Sequence, residues 1–151
     1  MLGPKALAII AGLVSQTPGL DAAEMECMAA NIYHEARGES DRGMAFAAGV
    51  TLNRVASKRY PDTICGVVLQ RKQFSWTHDG KIDRPKDLAQ INRAIFIAYD
   101  VMTGSLLPNT QGATHYYAHG KVSKLHKWMQ TFERVAVVGN HTFMRKGNGN
   151  P

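Results

Sequence analysis

Apolar residues recur at helical spacing up to about Met102, whereas segments dense in aromatic and β-branched residues gather mostly from Ala113 onward. A chain whose helices come first and strands late lacks the alternation of a βαβ fold and reads as an α+β domain, mainly helical with a small antiparallel sheet. Its 151 residues suffice for one domain with a real core.

The punctuation between the periodic stretches sets the expected elements. Ala6 to Val14 is an apolar run behind a lone Lys5. It is shorter than the roughly 20 residues that span a bilayer. It loosely resembles a secretory apolar region, but no small-x-small cleavage site follows. Residues 1–20 are therefore expected to form a helix packed on the domain or leading into it, with Thr17-Pro18-Gly19 breaking it. Asp21 is a candidate N-cap, Glu24 stands at its capping-box position, and Met25, Met28, Ala29, Ile32 and Tyr33 predict a helix to about Arg37, ended by Gly38. A second helix is expected from Asp41 to Val55, with Ala45, Ala48 and Gly49 giving it a face of small residues. Tyr60-Pro61-Asp62-Thr63 reads as a turn and helix start, and Ile64 to Gln70 as a short helix or strand. Lys72 to Thr77 suggests a strand and His78-Asp79-Gly80 a turn. Pro85 to Met102 is the longest expected helix, with Leu88, Ile91, Ala94, Ile95, Ala98 and Met102 on one side and Gly104 as its cap. After a loop at Pro108-Asn109, strands are expected at Ala113–Tyr117, Arg134–Val138 and Thr142–Met144, with a turn at Gly139-Asn140. The domain proper would cover 21–146 and leave 147–151 as a loose tail.

Composition narrows the class. The chain is 44% hydrophobic and 20% charged, as globular proteins are, and carries a formal charge of +6. Such a surface attracts polyanions. The basic residues are scattered and no nucleic-acid motif is present, so anionic envelope polymers are expected partners and nucleic acid is not. Cys27 and Cys65 are too far apart for a CxxC pair. A disulfide and two buried thiols both fit them.

Three clusters carry chemistry. In His34-Glu35-Ala36-Arg37-Gly38-Glu39, Glu35 follows apolar Ile32 and Tyr33 and can face a partly buried cleft. Desolvation there raises a carboxyl pKa and makes a general acid for a glycosidic oxygen. A salt-bridged helix end fits the same residues. Gln73-Phe74-Ser75-Trp76 interleaves rings with short hydrogen-bonding side chains, which suits sugars, or forms a plain hairpin strand. His115, Tyr116, Tyr117, Trp128 and His141 gather in the late β region. No metal or cofactor is expected: His34-Glu35 begins an HExxH motif, but Gly38 stands where the second histidine belongs, and His115 and His119 lie in strand-like sequence. A serine hydrolase would need a GxSxG elbow, which is absent.

In this order the motifs resemble the SleB/CwlJ-type cell wall hydrolase family. The likeness rests on Asn31-Ile32-Tyr33, Glu35-Ala36-Arg37-Gly38-Glu39, Leu52-Asn53-Arg54-Val55, Ile64-Cys65-Gly66-Val67-Val68, Gln73-Phe74-Ser75-Trp76, Ala113-Thr114-His115-Tyr116-Tyr117 and Gly139-Asn140-His141-Thr142-Phe143. It implies a fold like that of lysozyme and the lytic transglycosylases, with Glu35 as catalytic acid. The implied reaction is peptidoglycan cleavage after N-acetylmuramic acid to leave a 1,6-anhydro end. Gln73, Ser75, Trp76, His115, Tyr116, Tyr117 and His141 are the expected substrate-binding or supporting residues. Ala118-His119 and Met144 depart from the family pattern and imply altered substrate contacts. A compact basic version looks like a phage endolysin: a monomer made in the host cytoplasm and acting on the wall from the periplasm. Three rival readings stay open. One is hydrolysis with Glu39 as second carboxylate. The others are a non-catalytic peptidoglycan-binding module and a zinc amidase.

Overall fold

The computed structural model describes residues 1–70 and 87–147. The expected strand at Lys72–Thr77 with Gln73, Ser75 and Trp76, the turn after it, the Pro85 helix start and the tail beyond Gly147 lie outside the described residues.

Among the described residues five helices precede three strands: α1 (Pro4–Ser15), α2 (Ala22–Ala36), α3 (Asp41–Ala56), α4 (Ile64–Val68), α5 (Leu88–Met102), β1 (His115–Ala118), β2 (Glu133–Val138) and β3 (His141–Arg145). A 3-10 turn at Lys127–Thr131 leads into β2. Among the described residues no helix is long and apolar enough to cross a membrane. α1 packs on α2 and α5 through buried Ala6 and Ile10.

α2 is the central helix, in contact with the other four. Asp21 caps it by accepting from the Glu24 backbone N–H at 2.9 Å. The capping box is not completed as expected. Both Glu24 carboxylate oxygens instead accept from α4, from Ile64 N (2.6 Å) and Cys65 N (3.0 Å), where a five-residue helix leaves its first amides open. Beside that contact a Cys27–Cys65 disulfide ties α2 to α4, which settles the open reading of the cysteines. Cross-linking residues 38 apart stabilises the fold by about 4 kcal/mol on chain-entropy grounds.

α5 buries Ile91, Ala94, Ile95, Ala98 and Val101. Leu88, expected on this face, is 53% exposed at the helix start. The small face of α3 lets the loop before β1 approach closely. A Cβ on Gly49 would lie 2.6 Å from Thr110 Cγ2, and Asn53 Nδ2 donates to Thr110 Oγ1 (2.9 Å) and Ala113 O (2.7 Å). Helix α3 thus fixes where β1 begins.

The sheet is antiparallel with order β1-β3-β2. A bulge between Arg134 and Ala136 interrupts the β2–β3 register. Phe46 and Val50 of α3 meet Ala113, Val138 and Phe143 in a small second core that seats the sheet on the helices.

Candidate active site

The last turn of α2 and the β2–β3 turn face one another across a cleft of about 590 Å³. Glu35, His34 and Glu39 line one side, and Asn140, His141 and Lys121 the other.

Glu35 is half-buried. Burial pushes its carboxyl up from 4.5 to about 7, with the positive charge of Arg54 pulling the other way. Arg54, on α3, is 5% exposed. Its Nε donates to Thr114 O at 2.7 Å and its guanidinium lies 5.1 Å from the Tyr60 ring centroid. A cation is therefore fixed within electrostatic reach of the carboxyl. Tyr116 completes the group from β1. Burial and the neighbouring Glu35 charge raise its phenol well above the usual value, so it stays a neutral donor. Its enclosed hydroxyl has no hydrogen-bond partner among the described residues. Such a group is costly to leave unmet.

Glu39 is a different kind of carboxylate. Helix α2 ends at Ala36, and Arg37 (ψ 142°) and Gly38 (φ 84°) turn the chain so that Glu39 reaches the hairpin. Its Oε1 accepts from Asn140 N (2.9 Å) and from His141 Nδ1 (2.9 Å), and its Oε2 accepts from Asn140 Nδ2 (3.1 Å). Burial alone would raise its pKa; the Asn140 and His141 hydrogen bonds outweigh that and hold it below the usual value. With Nδ1 donating to a carboxylate, a neutral His141 keeps Nε2 as an acceptor. A side chain on Gly139 would strike the Glu39 carboxylate at 3.1 Å.

Arg37, which a salt-bridged helix end would pair with a carboxylate, turns back to its own helix. Its NH1 donates to the Tyr33 hydroxyl at 2.9 Å and its guanidinium lies 5.0 Å from that ring's centroid. Among the described residues no ion pair joins Arg37 to Glu35.

The late aromatic cluster is divided by strand alternation. Tyr116 turns inward and packs against His141 (5.4 Å between centroids) and Phe143 (5.3 Å). His115 and Tyr117 lie on the opposite parity, and none of the three is among the residues lining the Glu35 cleft. His115 lines a groove with Trp128, and Tyr117 a separate depression with Arg134. His119 is hydrogen-bonded through Nδ1 to Thr142 Oγ1 at 3.1 Å. Sequence reasoning passed over Arg54 and Asn140 as individuals. Arg54 had a signal: the spacing Ala47, Val50, Arg54 sets an arginine on the buried face of α3.

The Cell Wall Hydrolase family model matches residues 38–144, beginning just after Glu35. The spore cortex-lytic enzyme of Bacillus cereus is 30% identical over 123 residues, 81% of this chain and 44% of the relative. That of Oceanobacillus iheyensis is 30% identical over 133 residues, 87% and 45% of the two chains. The chain thus spans less than half the length of these relatives. Among solved structures, the catalytic domain of the germination-specific lytic transglycosylase SleB from Bacillus anthracis is 29% identical, with a TM-score of 0.71 over 85% of this chain and 99% of that one. The catalytic domain of Bacillus cereus SleB is 28% identical, with a TM-score of 0.69 over 85% and 94%. The lysozyme-like α+β fold expected from the sequence is the fold of these domains.

Proposed function

The chain belongs to the Cell Wall Hydrolase family, and from that premise we propose that it cleaves the glycan strand of peptidoglycan between N-acetylmuramic acid and N-acetylglucosamine as a lytic transglycosylase. One observation carries the reading: of the two carboxyls among the described cleft residues, burial keeps Glu35 protonated to near neutrality, while Glu39 is held by hydrogen bonds to both of its oxygens.

Glu35 donates its proton to the glycosidic oxygen as the bond from that oxygen to C1 of the muramic acid breaks. The resulting carboxylate, steadied by Arg54, accepts the proton of the C6 hydroxyl as that oxygen bonds to C1. No water is consumed, and Glu35 ends protonated as it began. Tyr116, buried beside Glu35 and kept neutral, adds no second charge next to the acid. Glu39 acts as a positioning residue that holds Asn140 and His141 at the cleft edge. Hydrolysis would need a second carboxylate able to activate water or attack C1, and the three hydrogen bonds on Glu39 leave it poorly suited to either. A salt-bridged Glu35 would have favoured a binding module, and that bridge to Arg37 is not made.

The place of action is then the cell wall. Every side chain named comes from one chain, so a monomer suffices. Mass spectrometry of digested muropeptides tests the reading. The expected product is a 1,6-anhydro end, lighter by one water than a hydrolysed one and resistant to borohydride. Reducible ends carrying ¹⁸O from labelled water would refute transglycosylation.

A further inference from the structure

A second groove, of about 610 Å³, opens at the start of β1 and is not used by the chemistry above. Its wall is a knot of three rings. His115 lies edge to face with Trp128 (centroids 5.4 Å) and Phe132 (4.8 Å), and those two meet at 5.3 Å. Trp128 is nonetheless 51% exposed, so ring surface remains open to the groove. A soluble domain leaves a large aromatic so placed at a cost in apolar exposure, and such surface commonly marks a binding site.

Charge identifies the ligand class. Arg59, Arg145 and Lys146 line the groove, and none of its described lining residues is acidic. Arg145 is tied to Glu133 (2.9 Å), while Arg59 and Lys146 are exposed on the rim. Burial, reinforced by Arg54, lowers the His115 pKa to about 4, so its ring is neutral at physiological pH and adds no charge of its own. An aromatic wall alone would also suit a cation, but the surrounding cations repel one. The combination suits a ring with apolar faces that bears a carboxylate nearby.

The groove shares no lining residue with the Glu35 cleft, but Arg54 is common to the surroundings of both. Thr114 and Tyr60 line the groove, and Arg54 touches both while acting electrostatically on Glu35 and Tyr116. Resting on the proposed glycosidase reading, we infer that this groove is a second subsite for the peptide-bearing glycan strand. A sugar ring lies on Trp128 and a carboxylate of the stem peptide meets Arg59 and Lys146. The subsite favours long, peptide-substituted strands over bare glycans.

The test is a two-dimensional NMR titration of the full chain carrying Glu35→Gln, with N-acetylglucosaminyl-N-acetylmuramyl-tetrapeptide and, separately, chitotetraose. The Trp128 indole N–H and Arg59 amide signals are expected to move with the muropeptide, and much less with the uncharged chitotetraose. If the Asn140 amide moves while the Trp128 signal does not, the subsite is refuted and the Glu35 cleft stands. Silence at both refutes the subsite and counts against the glycosidase reading as well. Equal shifts with both ligands refute the carboxylate contact. In a second arm, Arg59→Ser/Lys146→Ser is expected to raise KM on intact sacculi about fivefold to tenfold, equivalent to about 1–1.4 kcal/mol, with a much smaller change in kcat. Because both side chains are exposed, the fold should be kept, which the dispersion of the NMR spectrum checks. An unchanged KM overturns the inference.

Discussion

Replacing Glu35 by Gln should abolish lysis and, above neutral pH, stabilise the fold. The Glu35 carboxyl is raised from 4.5 to about 7, mainly by burial, against the pull of Arg54. Between those values the folded chain holds a proton that the unfolded chain has lost. The associated stability is fully present below 4.5 and is lost as pH rises through about 7. At about 1.4 kcal/mol per pH unit, and allowing for solvent on the cleft side, the loss is about 2–3 kcal/mol. Gln resembles the protonated acid and cannot ionise, so the variant escapes that loss. For a domain of this size the gain corresponds to roughly 5–10 °C in Tm. Thermal unfolding followed by circular dichroism at pH 4 and pH 8.5 reads it directly. The two proteins should unfold together at pH 4, with the variant higher at pH 8.5. An equal difference at both values would refute a perturbed Glu35. Lysis of outer-membrane-stripped cells by the native protein should fall above pH 7 as the donor proton is lost. The variant should be inactive throughout, since general acid catalysis supplies about 10²–10⁴-fold and the described residues of the cleft offer no substitute acid.

Glu39→Ala removes the acceptor of Asn140 and His141 and should lower stability by about 1–3 kcal/mol, read as the urea midpoint. Turnover per folded molecule at 15 °C should be reduced only modestly, whereas total loss of turnover with unchanged stability would make Glu39 a catalyst. Reducing Cys27–Cys65 should cost about 4 kcal/mol, and an unchanged urea midpoint after verified thiol release would contradict the constraint. Lysis should survive prolonged EDTA, because protonation by Glu35 calls for no Lewis acid; loss restored by stoichiometric zinc would favour the amidase reading.

What was legible in the sequence was local. Asp21, Gly38 and Gly104 mark helix ends through their own backbone chemistry, and the late strands announce themselves by β-branched and aromatic residues. What was not legible depended on partners distant in the chain. Glu24 is spaced for a capping box, yet α4, some forty residues on, presents unsatisfied amides that hold it more firmly. Cysteine spacing cannot report that α2 and α4 come together. Glu39 meets Asn140 across 101 positions, which no window on the sequence would join. In His115-Tyr116-Tyr117 the residue types promise one aromatic site. Alternation along β1 divides them among an inner core and two outer grooves, and only the structure tells which parity faces inward.

The divergence between Glu35 and Glu39 is a consequence of where α2 stops. Had the helix continued, the two carboxyl groups would lie one turn apart on the same face, close enough for each charge to oppose the other. The helix stops at Ala36, and Gly38, at φ 84°, turns the chain between them. Glu35 stays on the rigid last turn, half-buried, where desolvation favours the proton. Glu39 is carried across to the hairpin, where three donors favour the charge. Two identical side chains are thereby separated into a proton holder and a permanent anion, as pKa tuning by environment requires. The anion serves structure, since it closes the cleft between helices and sheet. The proton holder must then act alone, and a reaction with one acid and no activated water has to return the proton it gives. Internal attack by a substrate hydroxyl does that, and holding an internal nucleophile near its target is worth up to about 7–11 kcal/mol. Gly38→Ala, which would put a side chain at φ 84° in the turn after α2, should therefore damage stability and chemistry together, by straining the turn that carries Glu39 to its anchor and holds it away from the acid.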